Sequence, residues 1–264
     1  MTADFDKDVA LWREEERIAQ IKGWDFSHIN GRYAEEGNLP WDYKKEILKR
    51  LTPDMKLLDI DTGGGEFLLA LRHPAWNTSA TEGYQPNVRL CFETLLPMGI
   101  DIREADAETC LPFEDESFDM VINRHGSFNE SEIYRVLKKN GLFITQQVGA
   151  ENDRELVEML LPELTQLPFP KQYASQVSDS FRSAGFEIER AEECFAPIVF
   201  YDVGALVWFA RIIEWEFPGF SVDACLDHLI KARKTLDETG KLEGRIHRFF
   251  LIAKKHKKGN IAFT

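Results

Sequence analysis

The 264-residue chain is poor in cysteine, lacks any long apolar run and is short of positive charge. Its four cysteines, Cys91, Cys110, Cys194 and Cys225, stand far apart and form no CxxC pair. That spacing excludes a thiolate metal site and predicts free thiols, as expected of a cytoplasmic protein. No apolar stretch reaches the roughly 18–20 residues that a membrane span needs. The longest, residues 195–213, is interrupted by Asp202 and Arg211. The first eight residues include Asp4, Asp6 and Asp8, too acidic for a signal peptide. Lys and Arg number 32 against 45 Asp and Glu, a net charge of −13. Such a surface is poorly matched to nucleic acid, whose affinity comes largely from phosphate neutralisation. The histidines show no ligand spacing, so no metal is expected. No GK[ST] follows a glycine turn, which excludes a P-loop. There are no internal repeats and no low-complexity linker.

What is present is a full complement of core-forming residues, 44% hydrophobic and 12% aromatic. From residue 52 on, strands and helices alternate. The pattern predicts strands over 56–60, 79–82, 100–104, 118–123, 142–148, 186–191 and 248–253. It predicts helices over 65–71, 86–96, 131–137, 151–161, 175–184, 202–217 and 221–238, preceded by 4–22 and 43–51. Alternation of this kind predicts an α/β fold: a Rossmann-like, seven-stranded, mostly parallel sheet with helices on both faces. The expected organisation is an N-terminal helical cap over 1–45 and a nucleotide-type core over 46–191. A helical insertion over 192–240 and a final strand with a basic tail over 241–264 complete it. Charge is uneven: residues 101–119 are almost wholly acidic in their charges, and 231–258 mostly basic.

The run Leu57-Leu58-Asp59-Ile60-Asp61-Thr62-Gly63-Gly64-Gly65-Glu66-Phe67 carries the chemistry. An apolar strand ends in an acid, and glycines then let the backbone turn sharply and let a ligand approach it. The helix N-terminus behind them offers unsatisfied N–H groups to a nucleotide-like ligand at a strand end. About twenty residues on, Thr81-Glu82-Gly83-Tyr84 closes the second strand, where a carboxylate can accept from both hydroxyls of a ribose. Ala105-Asp106-Ala107-Glu108 follows the third strand, where Asp106 can accept from an exocyclic amine and Ala107 can donate from its backbone. A nicotinamide dehydrogenase would show GxGxxG instead of three consecutive glycines.

In order and spacing, "LLDIDTGGGEF", the acidic end of strand two, "ADAETCLPFEDESFDMVINRHGSF" and "IYRVLKKNGLFITQQVG" together resemble the class I S-adenosylmethionine-dependent methyltransferases. The closest branch is the type 11-like group acting on small molecules. The resemblance covers residues 43–150 well and the C-terminal part loosely. It implies S-adenosyl-L-methionine as cofactor and a small-molecule methyl acceptor, with no nucleic acid or membrane partner expected. It implies Asp59 near the methionine amino group, and Gly63, Gly64 and Gly65 along the methionine. Glu82 would bind the ribose with Tyr84 beside it, and Asp106 and Ala107 would hold the adenine. Asn123 and Arg124 would lie near the methyl group. Asp61 stands where the family usually has its first glycine. It would either crowd the methionine end or meet the cofactor's ammonium.

Methyl transfer needs positioning above all, and a base only where the acceptor must lose a proton. His125 is the candidate base, since its pKa can be useful near neutrality. Trp24, Phe26, Tyr33, Trp41 and Tyr43 crowd a short irregular stretch that reads as a lid or as packing, with Tyr33 the catalytic-side candidate. Two alternatives remain: methylation of RNA or protein, supported by the basic C-terminal stretch, and a non-catalytic cofactor-binding protein, supported by Asp61. The sequence does not fix the oligomeric state.

Overall fold

The computed structural model describes residues 3–20, 25–35 and 39–256. Among them one hydrogen-bonded sheet of eight strands runs in the order β1-β7-β8-β6-β5-β2-β3-β4. The strands are β1 (Tyr33–Glu35), β2 (Leu57–Ile60), β3 (Thr78–Glu82), β4 (Asp101–Glu104), β5 (Phe118–Arg124), β6 (Leu137–Val148), β7 (Phe186–Phe200) and β8 (Leu242–Lys255). Strands β4, β3, β2, β5 and β6 pair in parallel, and β8 adds antiparallel to β6. The eighth strand, one more than expected, is the short β1, which pairs antiparallel with the end of β7.

The helices between them are α1 (Ala3–Ile18), α2 (Tyr43–Leu48), α3 (Glu66–Ala70), α4 (Gln85–Thr94), α5 (Glu130–Val136), α6 (Arg154–Leu160), α7 (Ala174–Ala184), α8 (Val203–Ile212) and α9 (Leu226–Thr239). Local chemistry sets their ends. Asp42 caps α2 by accepting from the Lys45 N–H, and Asn129 caps α5 by accepting from Ser131 and Glu132. Gly185 and Gly240 end α7 and α9 in left-handed conformations.

The chain divides into two compact units. The first comprises residues 1–39, 149–170 and 194–247. Its core gathers Val9 and Trp12 of α1, Leu156 and Leu160 of α6, and the buried residues of α8. Phe26 packs edge-on to Trp208 there, with ring centroids 5.8 Å apart. The second comprises residues 40–148, 171–193 and 248–264. Its core sets Leu58, Ile60, Val121 and Phe143 against Ile133, Val136 and Phe181 of α5 and α7.

Several elements differ from the sequence-based expectation. Strand β6 begins at Leu137, ahead of Lys139-Asn140-Gly141, because α5 passes into it without a loop. Strand β7 continues through Glu192, Glu193 and Cys194, where half-buried and exposed residues alternate. Helix α8 stops at Ile212 and α9 starts only at Leu226.

Candidate active site

Apart from Tyr33, the candidate catalytic and cofactor-binding residues lie in the second unit, at the carboxyl ends of its parallel strands. Strand β2 is buried at all four positions. Beyond it Asp61, Gly63 and Gly65 take left-handed backbone, with φ of +52°, +66° and +83°. This turn reverses the chain into α3. A Cβ at Gly65 would come within 2.8 Å of the Leu95 side chain, so backbone conformation and packing both demand glycine. The turn is tied down from three sides. The Thr62 N–H donates to the Thr81 carbonyl (3.0 Å), the Gly63 N–H to Glu82 Oε2 (2.7 Å), and the Cys91 thiol to the Gly63 carbonyl (3.1 Å). Burial and neighbouring carboxylates push the Cys91 thiol up to about 12, so it stays protonated in this role.

Three carboxylates converge here. Glu82 is buried, with Oε1 accepting from the Gly83 and Tyr84 N–H groups at 3.0 and 2.9 Å. With Gly63, these bonds fill three of the roughly four lone-pair sites a carboxylate offers. Asp59 is buried and accepts from the Thr62 hydroxyl at 2.7 Å. Burial, followed by the charges of Asp61 and Glu82, pushes its carboxyl up to about 7. Asp61 is likewise pushed up to about 7, by burial and then by Glu82. Its Oδ2 accepts from the Ser127 N–H at 3.1 Å, joining the loop after β2 to the loop after β5. A Cβ at Gly126 would lie 2.5 Å from the Asp61 Cβ, so these loops touch closely. Strands β2 and β5 are the neighbours at which the strand order reverses direction, where open α/β sheets bind ligands.

The register of β2, β5 and β6 sets Ile60 beside Asn123, Asn123 beside Thr145 and Arg124 beside Gln146. Asn123 is fully buried and its side chain is engaged inside the sheet. Its Nδ2 donates to the Ile60 carbonyl at 2.9 Å and its Oδ1 accepts from Gln147. Arg124 is exposed and lies over the Phe67 ring at 5.3 Å. His125 has a φ of +62°, costly for a residue with a Cβ. Its N–H donates to the Gln146 carbonyl at 3.0 Å, and its Nε2 lies 3.3 Å from Gln146 Nε2. Burial, then the positive charges of Arg248 and Arg124, hold its pKa well below the ordinary histidine value, so the ring is neutral. Its Nδ1 is buried without a hydrogen-bond partner. A buried donor or acceptor left in this state costs about 1–3 kcal/mol.

Trp41 and Tyr43 are buried packing residues that also hold this region. The Trp41 indole N–H donates to Gln146 Oε1 at 2.8 Å while its ring stacks on Phe250. The Tyr43 hydroxyl donates to the Asn123 carbonyl at 3.0 Å. Asp106 is exposed and accepts from the Glu108 N–H, Ala107 beside it is buried, and Tyr84 is exposed. Tyr33 lies in the first unit on β1, stacked on Phe200, its hydroxyl pKa raised by burial and by Glu35. Trp24 is outside the described residues. Sequence reasoning passed over Gln146, Gln147 and Cys91. The only signal for the first two was a pair of amides ending an apolar strand. No grouping of His, Cys, Asp and Glu suited to a metal occurs among the described residues.

Residues 58–145 match the family model described as a methyltransferase domain. A 98-residue stretch is 38% identical to the phthiotriol/phenolphthiotriol dimycocerosates methyltransferase of Mycobacterium tuberculosis, covering 34% of this chain and 36% of that protein. The matched stretch thus spans about a third of the length of this curated relative. Among solved structures, a Bacillus halodurans protein described as a candidate methyltransferase superposes with a TM-score of 0.55 at 20% identity, over 81% of this chain and 99% of that one. The [4+2]-cyclase SpnF superposes with a TM-score of 0.50 at 18% identity, over 96% and 94%. At these identities the structural likenesses speak for the fold. Residues 58–145 are thus similar to a methyltransferase domain, and the superpositions show that the fold is shared with these structures.

Proposed function

We propose that this chain is an S-adenosylmethionine-dependent methyltransferase acting on a small-molecule acceptor. The observation that carries the reading is the convergence of Asp59, Asp61 and Glu82 on a glycine turn where the strand order reverses. Two carboxyls pushed up to about 7 beside a third acid suit a cationic ligand, so the residues fit this cofactor. When bound, it supplies a methyl group activated by the sulfonium. Asp59 and Asp61 would face its ammonium, and Gly63, Gly64 and Gly65 would let it approach the backbone. Glu82 would hold the ribose with Tyr84 alongside, releasing one backbone N–H to accept from both hydroxyls. Asp106 and Ala107 would hold the adenine. Arg124 would lie toward the methyl group, with Asn123 acting through the backbone it fixes.

The acceptor class rests on the acidity of the chain and on the Mycobacterium tuberculosis relative, which is named for phthiotriol and phenolphthiotriol dimycocerosates. Tyr33 is proposed as a lid residue. Tyr33→Phe should raise KM for the acceptor severalfold and leave cofactor affinity unchanged. One observation favours a second reading, cofactor binding without catalysis: Asp61 spans the two loops at the reversal point. Release of S-adenosylhomocysteine across a panel of phenols, carboxylic acids, amines and thiols decides between them. Turnover with any member supports the transferase, and tight cofactor binding with no turnover supports the second reading.

A further inference from the structure

The donors and acceptors around His125 leave one arrangement. An indole N–H can only donate, so the bond from Trp41 fixes Gln146 with its carbonyl toward Trp41 and its NH2 toward His125. An NH2 group facing a ring nitrogen at 3.3 Å requires that nitrogen to accept. His125 Nε2 therefore carries no proton, and the neutral ring holds its proton on Nδ1, the buried atom without a partner. The backbone supports the same placement, because Gln146 also accepts the His125 N–H. Charge is divided across the site. Asp59, Asp61 and Glu82 crowd the β2–β3 side, while Arg124 and Arg248 act on His125 at the β5–β8 side.

We propose that His125 is a hydrogen-bond donor through Nδ1, set by Gln146 and Trp41, that selects a methyl acceptor presenting an anionic oxygen such as a phenolate or carboxylate. The proposal rests on the methyltransferase reading above. A donor to the charged form of the acceptor favours its ionisation, and the two arginines add to that effect. The oxyanion arrives without its proton, so no base is required. Its lone pair forms the C–O bond to the methyl carbon as the S–CH3 bond breaks and its electron pair returns to sulfur. A sulfonium and an oxyanion become a thioether and a methyl ether or ester, and no proton moves. His125 thus acts as a selector of the acceptor, in place of the general base expected from sequence.

The test is long-range 1H–15N correlation on the full chain labelled with 15N-histidine, with S-adenosylhomocysteine present and His125→Asn used for assignment. The proposal expects the His125 proton on Nδ1, and that proton signal to shift on adding benzoate or phenol but not benzylamine. A proton on Nε2, no shift with benzoate or phenol, or a shift with benzylamine alone overturns it. Two variants give a second readout. His125→Asn keeps a donor at the Nδ1 position, cannot act as a base and tolerates the left-handed backbone. It should retain turnover of the accepted phenol or carboxylate within about tenfold, whereas His125→Ala should lose a hundredfold or more. Equal loss in both contradicts the donor role. Gln146→Glu should move the proton to Nε2, and an unmoved proton in the folded variant counts against the relay. Cofactor binding by calorimetry separates the two claims: a donor tautomer without S-adenosylmethionine binding sinks the methyltransferase reading, not the assignment of the proton.

Discussion

At the scale of single residues, Asp61 and His125 define the problem. Both carry a Cβ in left-handed backbone, and they sit on the two loops flanking the reversal of strand order. Strain of this kind collects at functional sites. Asp61 and Asp59 hold their protons more tightly folded than unfolded. The stability tied to the protonated forms is therefore fully present below about pH 4 and lost as pH rises toward 7. Asp61→Asn keeps an acceptor for the Ser127 N–H and removes the charge. It should stabilise the cofactor-free protein by on the order of 2 kcal/mol at pH 8, with the gain shrinking steadily toward pH 4. Thermal melts across that range check this, and a gain independent of pH would contradict it. The same carboxyls should ionise around a cationic ligand. S-adenosylmethionine should bind more tightly at pH 8 than at pH 6 and release protons near pH 7, visible as a buffer-dependent heat of binding.

At the scale of elements, the parallel core was legible because its signals are local. Leu57–Ile60 is a buried apolar strand, Glu82 follows at the interval of one crossover, and proline opens α4. Strand β7 was cut short because Glu192 and Glu193, just beyond Ala191, put charge where an apolar face would signal a continuing strand. The boundary of α8 was hidden because nearly all of the helix is buried and no glycine marks its end. In the candidate site, acids and glycines were readable from spacing. Gln146, Gln147 and the bond from Trp41, named from sequence only as lid or packing, were not, since these roles come from register and from partners 21 to 105 residues away. Cys91 likewise supports the glycine loop from 28 residues on. Gly65→Ala forces a Cβ into left-handed backbone and against Leu95, and should cost about 2–4 kcal/mol in urea unfolding. A loss below about 0.5 kcal/mol would show that the turn relaxes freely.

At the scale of the molecule, much of the basic C-terminal stretch is paired with acids among the described residues. Arg233 meets Asp8 and Asp237, Lys241 meets Glu243 and Arg245 meets Glu155. Lys254 meets Glu189 and Lys255 meets Glu116. In a chain of net charge −13 such pairing argues against an RNA substrate, whose affinity would need free positive charge. No salt-sensitive retention of RNA is expected at low ionic strength, as a filter-binding titration would show. No helix among the described residues is long and apolar enough to cross a membrane.

Cofactor binding at the glycine turn is open to titration calorimetry. S-adenosylmethionine should bind the full chain with one-to-one stoichiometry. Glu82→Gln should weaken it roughly tenfold to a hundredfold, since bonds to a charged acceptor are worth about 1.5–3 kcal/mol. Absence of binding to the wild-type chain, or full affinity in Glu82→Gln, would contradict the account.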